Sequence, residues 1–167
     1  MLVAALAWSS AVSADSACEG FKWDVSREHR LFMGEATAAT AGKSLDDAPV
    51  LQLDRLYELG LSPQPDVRLP VPSSKKMLAD GANAGLVRLK LSQAGQYRVA
   101  LSMPFWIDIA ANGQLIPSID FNGAQGCDKP RKVVIYDLPA NQDLSLQFSG
   151  LTDDKLRVTL TAVAPTK

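Results

Sequence analysis

A chain whose side chains alternate between apolar and polar over many short stretches has few ways to fold except as strands with one buried face. Residues 95–121, GQYRVALSMPFWIDIAANGQLIPSIDF, show this pattern most fully. Tyr97, Val99, Leu101 and Met103 alternate with polar or small residues. Asn112 and Gly113 form the pair preferred in tight hairpins, because both tolerate positive φ. The stretch therefore reads as a long strand, a turn and a returning strand. Val87, Leu89 and Leu91 alternate before it. After it, Val133 and Ile135 open KVVIYDL, Leu144, Leu146 and Phe148 alternate, and so do Leu156, Val158, Leu160 and Ala162. Short strands spaced by about ten residues and joined by Gly, Asn and Pro turns predict a sandwich or barrel.

Pro104 leaves two readings of the central strand. A straight strand keeps Phe105, Ile107 and Ile109 on the buried side, with Trp106 and Asp108 facing outward beside Arg98. A bulge at Pro104 flips the parity and sends Trp106 inward. The bulge is favoured, because large aromatics are mostly buried.

The N-terminal third is less regular. Residues 21–32, FKWDVSREHRLF, predict a helix with Asp24 or Ser26 as cap, Val25, Leu31 and Phe32 as its apolar stripe, and Gly34 as its stop. Residues 37–47 have no periodicity and read as a surface loop. Residues 50–61 fit either a helix or strands, and the alternating segments that follow favour strands. Val67, Leu69 and Val71 share one parity, while Pro70 and Pro72 supply no ladder donor, which predicts an edge strand. Residues 73–85 read as a polar loop. The predicted fold class is mainly β, an antiparallel, jelly-roll-like β-sandwich with a short N-terminal helix. Its divisions are a signal peptide over residues 1–14, helix and loop over 15–48, and sandwich over 49–164.

The signal peptide is read from MLVAALAWSSAVSAD, in which an apolar run ends in the small residues of a cleavage site. No Lys or Arg precedes Lys22, so the true start is expected to lie upstream; a buried N-terminal helix is the other reading. Cleavage after Ala14 removes Trp8, and no later apolar run is long enough to span a bilayer. The mature chain is expected to be periplasmic or secreted, with no membrane span. Its two cysteines, Cys18 and Cys127, then favour a disulfide over free thiols. In the chain-entropy account, closing a loop on the order of a hundred residues stabilises by about 4–5 kcal/mol.

Charge and motif content argue against several functions. The net charge is −1, from 17 basic and 18 acidic side chains, so no field of one sign draws in nucleic acid. His29 is the only histidine and sits in the charged run Arg27, Glu28, His29, Arg30, which reads as a solvated helix face rather than a catalytic base. There is no GxSxG elbow. No CxxC pair or histidine set supports a metal site, and no cofactor motif is present. Asp120, Phe121, Asn122 and Gly123 resemble a calcium-loop opening, but the glycine comes too early and Arg131 stands where the closing acid belongs. Asp108 and Asp120 form the remaining carboxylate pair that a hairpin would bring together.

Four segments, CEGFKWDVSREHRLF, LYELGLSPQPDV, GQYRVALSMPFWIDI and RKVVIYDLP, together resemble a family of short exported proteobacterial proteins without an established activity. Some members of that family carry the label homogentisate 1,2-dioxygenase. That enzyme is a much longer cupin-type protein that binds iron through histidines and a carboxylate. With His29 alone, this chain departs from it at the metal itself. The segment GQYRVAL with its following strands also resembles small β-sandwich domains appended to secreted peptidases, a likeness of fold only.

The function expected is an exported, non-catalytic binding or accessory protein of the periplasm, with a protein or a glycan as partner. The alternative is an enzyme, either a carboxylate-based hydrolase or a metal-dependent dioxygenase. No catalytic residue is assigned. The candidate ligand-binding residues are Trp106, Asp108, Arg98 and Trp23. Trp23, Tyr97, Phe105, Trp106 and Tyr136 are the aromatics from which a recognition platform would be drawn, or else core packing.

Overall fold

Alternation does produce strands, and they stack as two sheets. The computed structural model describes residues 18–75 and 80–164; the leader expected over residues 1–14 lies outside them. Among the described residues a single α-helix, α1 (Ser26–Phe32), precedes β1 (Thr37–Thr40), β2 (Val50–Leu51), β3 (Tyr57–Gly60) and β4 (Ser62–Pro63). Then come β5 (Asn83–Leu89), β6 (Gly95–Leu101), β7 (Trp106–Ala111), β8 (Gln114–Ile116) and β9 (Ser118–Gly123). The chain ends with β10 (Lys132–Leu138), β11 (Leu144–Leu151) and β12 (Lys155–Ala162).

The first sheet has the order β1-β3-β12-β6-β10-β9, and the second β2-β5-β11-β7-β8, with β4 also on β5. The long strands pair antiparallel, as alternation and short turns require. Two short pairs, β1 with β3 and β2 with β5, are parallel. Leu59, Val99, Leu101, Val158 and Leu160 of the first sheet pack with Val87, Leu89, Ile107, Ile109, Leu146 and Phe148 of the second. That contact is the core of a β-sandwich.

The predicted hairpin is present. Ala111 pairs with Gln114, and Asn112 and Gly113 between them have φ of 51° and 75°. Both values are positive, as the mirror-image hairpin turn demands.

Several local expectations change. The helix begins at Ser26, not at residue 21, and Asp24 Oδ1 accepts from the Ser26 amide at 2.8 Å. Residues 37–40, expected as loop, become β1 because β3 offers them a parallel ladder. Residues 67–72, expected as an edge strand, join no ladder, and neither do residues 73–75 that follow them. They lie as a strap over the outer face of the second sheet, where the Val71 amide and carbonyl bond to the side chain of Gln147 at 3.2 and 3.0 Å. Pro70 and Pro72 have no N–H to offer a ladder, so a side chain serves the backbone between them. In β10 it is Val134, Tyr136 and Leu138 that enter the core between the sheets, while Val133 packs beneath α1 with Val25, Phe32, Leu56 and Ala100.

The two sides of the sandwich differ. On one, β3 leads at Leu61 into β4 of the second sheet, and Gly42 bridges from the end of β1 to Leu86 of β5. On the other, the single residue Pro117 separates β8 from β9, and the chain turns a corner between sheet edges.

Candidate functional site

The chain changes sheet between β6 and β7. Residues 102–105, SMPF, make the crossing, and the Ser102 amide and hydroxyl bond to Arg157 of β12 at 3.0 and 2.9 Å. Phe105 is fully buried, and Ile107 and Ile109 follow it into the core. Neither reading of Pro104 anticipated a change of sheet. The expectation that Trp106 enters the core is overturned: it is half-buried and shares the outer face of the second sheet with Asp108.

β8 pairs only with residues 109–111 of β7. Residues 106–108 therefore have no strand on that edge, and the chain leaves for β9 at Pro117. The result is a cleft of about 360 Å³ at the corner. Its apolar wall includes Ile116, Pro117, Phe121, Val134 and Tyr136, with Trp106 and Lys132 also lining it. The Phe121 side chain lies 63% exposed, because β9 reaches past the edge of the facing sheet. A concave, largely apolar cleft with a few polar groups is the usual form of a binding site.

The polar groups have unequal freedom. Asp108 is buried and accepts from Ser73 Oγ at 3.1 Å, the Ser74 amide at 3.0 Å, Ser74 Oγ and Trp106 Nε1 at 3.2 Å. Trp106 Nε1 also donates to Ser74 Oγ at 3.1 Å. The strap thus locks both Asp108 and the indole in place. Tyr136 donates to the Ile107 carbonyl at 3.3 Å, and burial, with the Asp108 charge, pushes its phenol well above the usual range. It keeps its proton.

Lys132 donates to the Phe105 carbonyl at 3.0 Å. Burial and the nearby Lys75 charge lower its pKa, partly offset by Asp108. The Lys75 and Lys132 ammoniums stand 5.2 and 5.3 Å from the centroid of the Trp106 ring. At that distance each is attracted to the face of the indole. Among the described residues, neither forms an ion pair.

Arg98 and Trp23 lie elsewhere, on the outer face of the first sheet. The expectation that Arg98 neighbours Trp106 and Asp108 fails because β6 and β7 belong to different sheets. Arg98 lies 5.8 Å from the Trp23 ring centroid, and its Nη1 donates to the Asp24 carbonyl at 2.7 Å and to Glu28 at 3.5 Å. Thr161 Oγ1 donates to the other oxygen of Glu28, which is almost fully buried. The run containing His29 is therefore no solvated face: Glu28 anchors the helix, and His29 Nδ1 contacts the Lys129 carbonyl at 2.7 Å. This cluster fastens α1 to the sheet.

Asp120 also lies on that outer face, bound to Lys22 Nζ at 3.1 Å, and its register partner is Ile135. It does not meet Asp108. Tyr97, Phe105 and Tyr136 are buried, so the five aromatics do not form one platform. Sequence reasoning missed Ser73, Ser74, Lys75, Phe121 and Lys132, which only the corner and the strap bring to Trp106. Among the described residues, no group of three or more His, Cys, Asp or Glu side chains is placed to hold a metal ion, and no helix is long and apolar enough to cross a membrane.

No protein-family model, curated protein or solved structure matches this chain.

Proposed function

We propose that this chain is an exported, non-catalytic binding or accessory protein of the periplasm or cell exterior, and that its corner cleft holds a segment of a partner protein. The observation that carries this reading is the cleft itself, where Phe121 stands exposed beside Trp106 over an apolar wall. Exposed aromatics around a desolvated pocket are the usual anchors of protein recognition. A glycan fits less well. Sugar stacking needs an open aromatic face, and Lys75 and Lys132 both stand over the indole.

Catalysis is the weaker reading. Asp108 and Asp120 belong to different sheets, and Asp108 accepts from three neighbouring residues, which ties up the lone pairs a general base needs. Export is supported by the leader-like start and by the bridge between Cys18 and Cys127. The resemblance of four segments to exported proteobacterial proteins supports the same placement.

The test is capture from periplasmic extract on immobilised wild-type protein and on Trp106→Ala and Phe121→Ser variants, alongside a glycan array. Polypeptides retained by the wild type and lost from both variants are the expected result. Glycan binding that Trp106→Ala abolishes would transfer the reading to a carbohydrate. Retention unchanged in both variants would remove the cleft from the function.

A further inference from the structure

The cleft has a charged end that an apolar partner segment alone would leave unused. Lys132 spends one donor on the Phe105 carbonyl, and an ammonium has three. Lys75 approaches the same indole from the strap. The nearest carboxylate, Asp108, is already engaged by Ser73, Ser74 and Trp106. Two cations thus stand over one ring, without an ion-pair partner among the described residues, and one of them, Lys132, lines the apolar cavity.

From this geometry we infer that the cleft takes the C-terminal residue of a polypeptide, its apolar side chain against Phe121, Ile116 and Val134 and its free carboxylate on Lys132 and Lys75. The inference rests on the protein-binding reading above and specifies which part of the partner is held. Three observations favour a peptide terminus. The cavity, about 360 Å³, lies near the lower end of ligand pockets, which run from about 300 to 1,000 Å³, and suits one or two side chains. Among the described residues, no strand pairs with residues 106–108 of β7 on the cleft side or with the outer edge of β9, and an extended peptide pairs with such edges. A fatty acid would use the carboxylate site and add no strand to those edges. Finally, a carboxylate beside Lys132 would compensate the burial that lowers that lysine's proton affinity.

The experiment measures fluorescence anisotropy of labelled hexapeptide pools, randomised upstream and ending in Phe, Leu, Ile or Val. Each pool is prepared as the free acid and as the C-terminal amide, and decanoate serves as competitor. The acid pools are expected to bind at least about tenfold more tightly than the amides, as a charge-assisted contact implies. Lys132→Gln should erase that difference. Lys75→Gln, on the exposed strap, should reduce it and keeps the test available if Lys132→Gln does not fold.

Equal binding of acid and amide overturns the carboxylate inference and leaves the protein-binding reading intact. Decanoate binding more tightly than any acid pool overturns the choice of a peptide. Absence of peptide binding, with extract polypeptides still captured through Phe121, overturns the terminus inference alone. Absence of both removes the protein-binding reading with it.

Discussion

At the scale of single residues, Glu28 shows how much one side chain fixes. Its carboxylate is almost fully buried, and it faces Arg98, itself only 15% exposed, while accepting from Thr161. Breaking a buried pair leaves the other charge without compensation, at a cost of about 3–5 kcal/mol. Glu28→Ala should therefore destabilise by about 3 kcal/mol, at the low end because Arg98 keeps the Asp24 carbonyl, as read from urea unfolding. Three aspartates contribute to the acid limb of stability. Asp24, Asp47 and Asp120 are each held below 3.8, chiefly by backbone or side-chain hydrogen bonds from Ser26, from Lys43 and Ser44, and from Lys22 respectively. Their unfolded forms take up protons more readily. The stabilisation they contribute is present above the unfolded value and is lost as pH falls through the folded ones. The urea midpoint should decline between about pH 5 and pH 2, and less steeply in an Asp47→Asn variant. None of this was legible in the charged run around Glu28, because burial depends on the sheet beneath the helix.

At the scale of elements, the crossing between β6 and β7 decides the site. Phe105 fills the core as the chain changes sheet, and Phe105→Ala should cost about 3–5 kcal/mol in chemical denaturation. The closed side of the sandwich depends on close backbone approach instead. A Cβ on Gly42 would lie 2.6 Å from Ala48 Cα and 2.8 Å from the Ser44 carbonyl oxygen. Neither neighbour is the tip of a flexible side chain. Gly42→Ala should lower the thermal midpoint through overpacking, by the equivalent of about 1–3 kcal/mol, even though alanine is otherwise well tolerated. The sequence showed extended chain on both sides of Pro104, read as one long strand, and the Asn112 and Gly113 turn, since those depend on neighbours in the chain. It did not show that SMPF is a bridge between sheets. Period two persists through the crossing, so the pattern carries no mark of the change.

For the whole molecule, the bridge between Cys18 and Cys127 spans 109 residues and ties the segment before α1 to the loop before β10. Reduction should lower the thermal midpoint measured by calorimetry. The loop-closure limit is about 4–5 kcal/mol, and residual structure in the reduced unfolded chain brings the effect below it. A Cys18→Ala, Cys127→Ala chain should match the reduced wild type, and a melt insensitive to reductant would show that the bridge does not limit unfolding. The sandwich also holds its outer faces differently: α1 covers part of the first sheet, and the strap of residues 67–75 crosses the second.

The alternation of side chains was enough to determine that this polypeptide becomes layered strands, because a period of two leaves one oily face per strand that another sheet must cover. Cysteine number pointed to the bridge. Tertiary structure alone decided that Trp106 meets Ser74, Lys75, Lys132 and Phe121, while Arg98 and Trp23 stay with the helix on the other sheet. A strand's parity says which residues share a face. It does not say which sheet the strand joins, and the cleft exists only because β8 stops short at the corner.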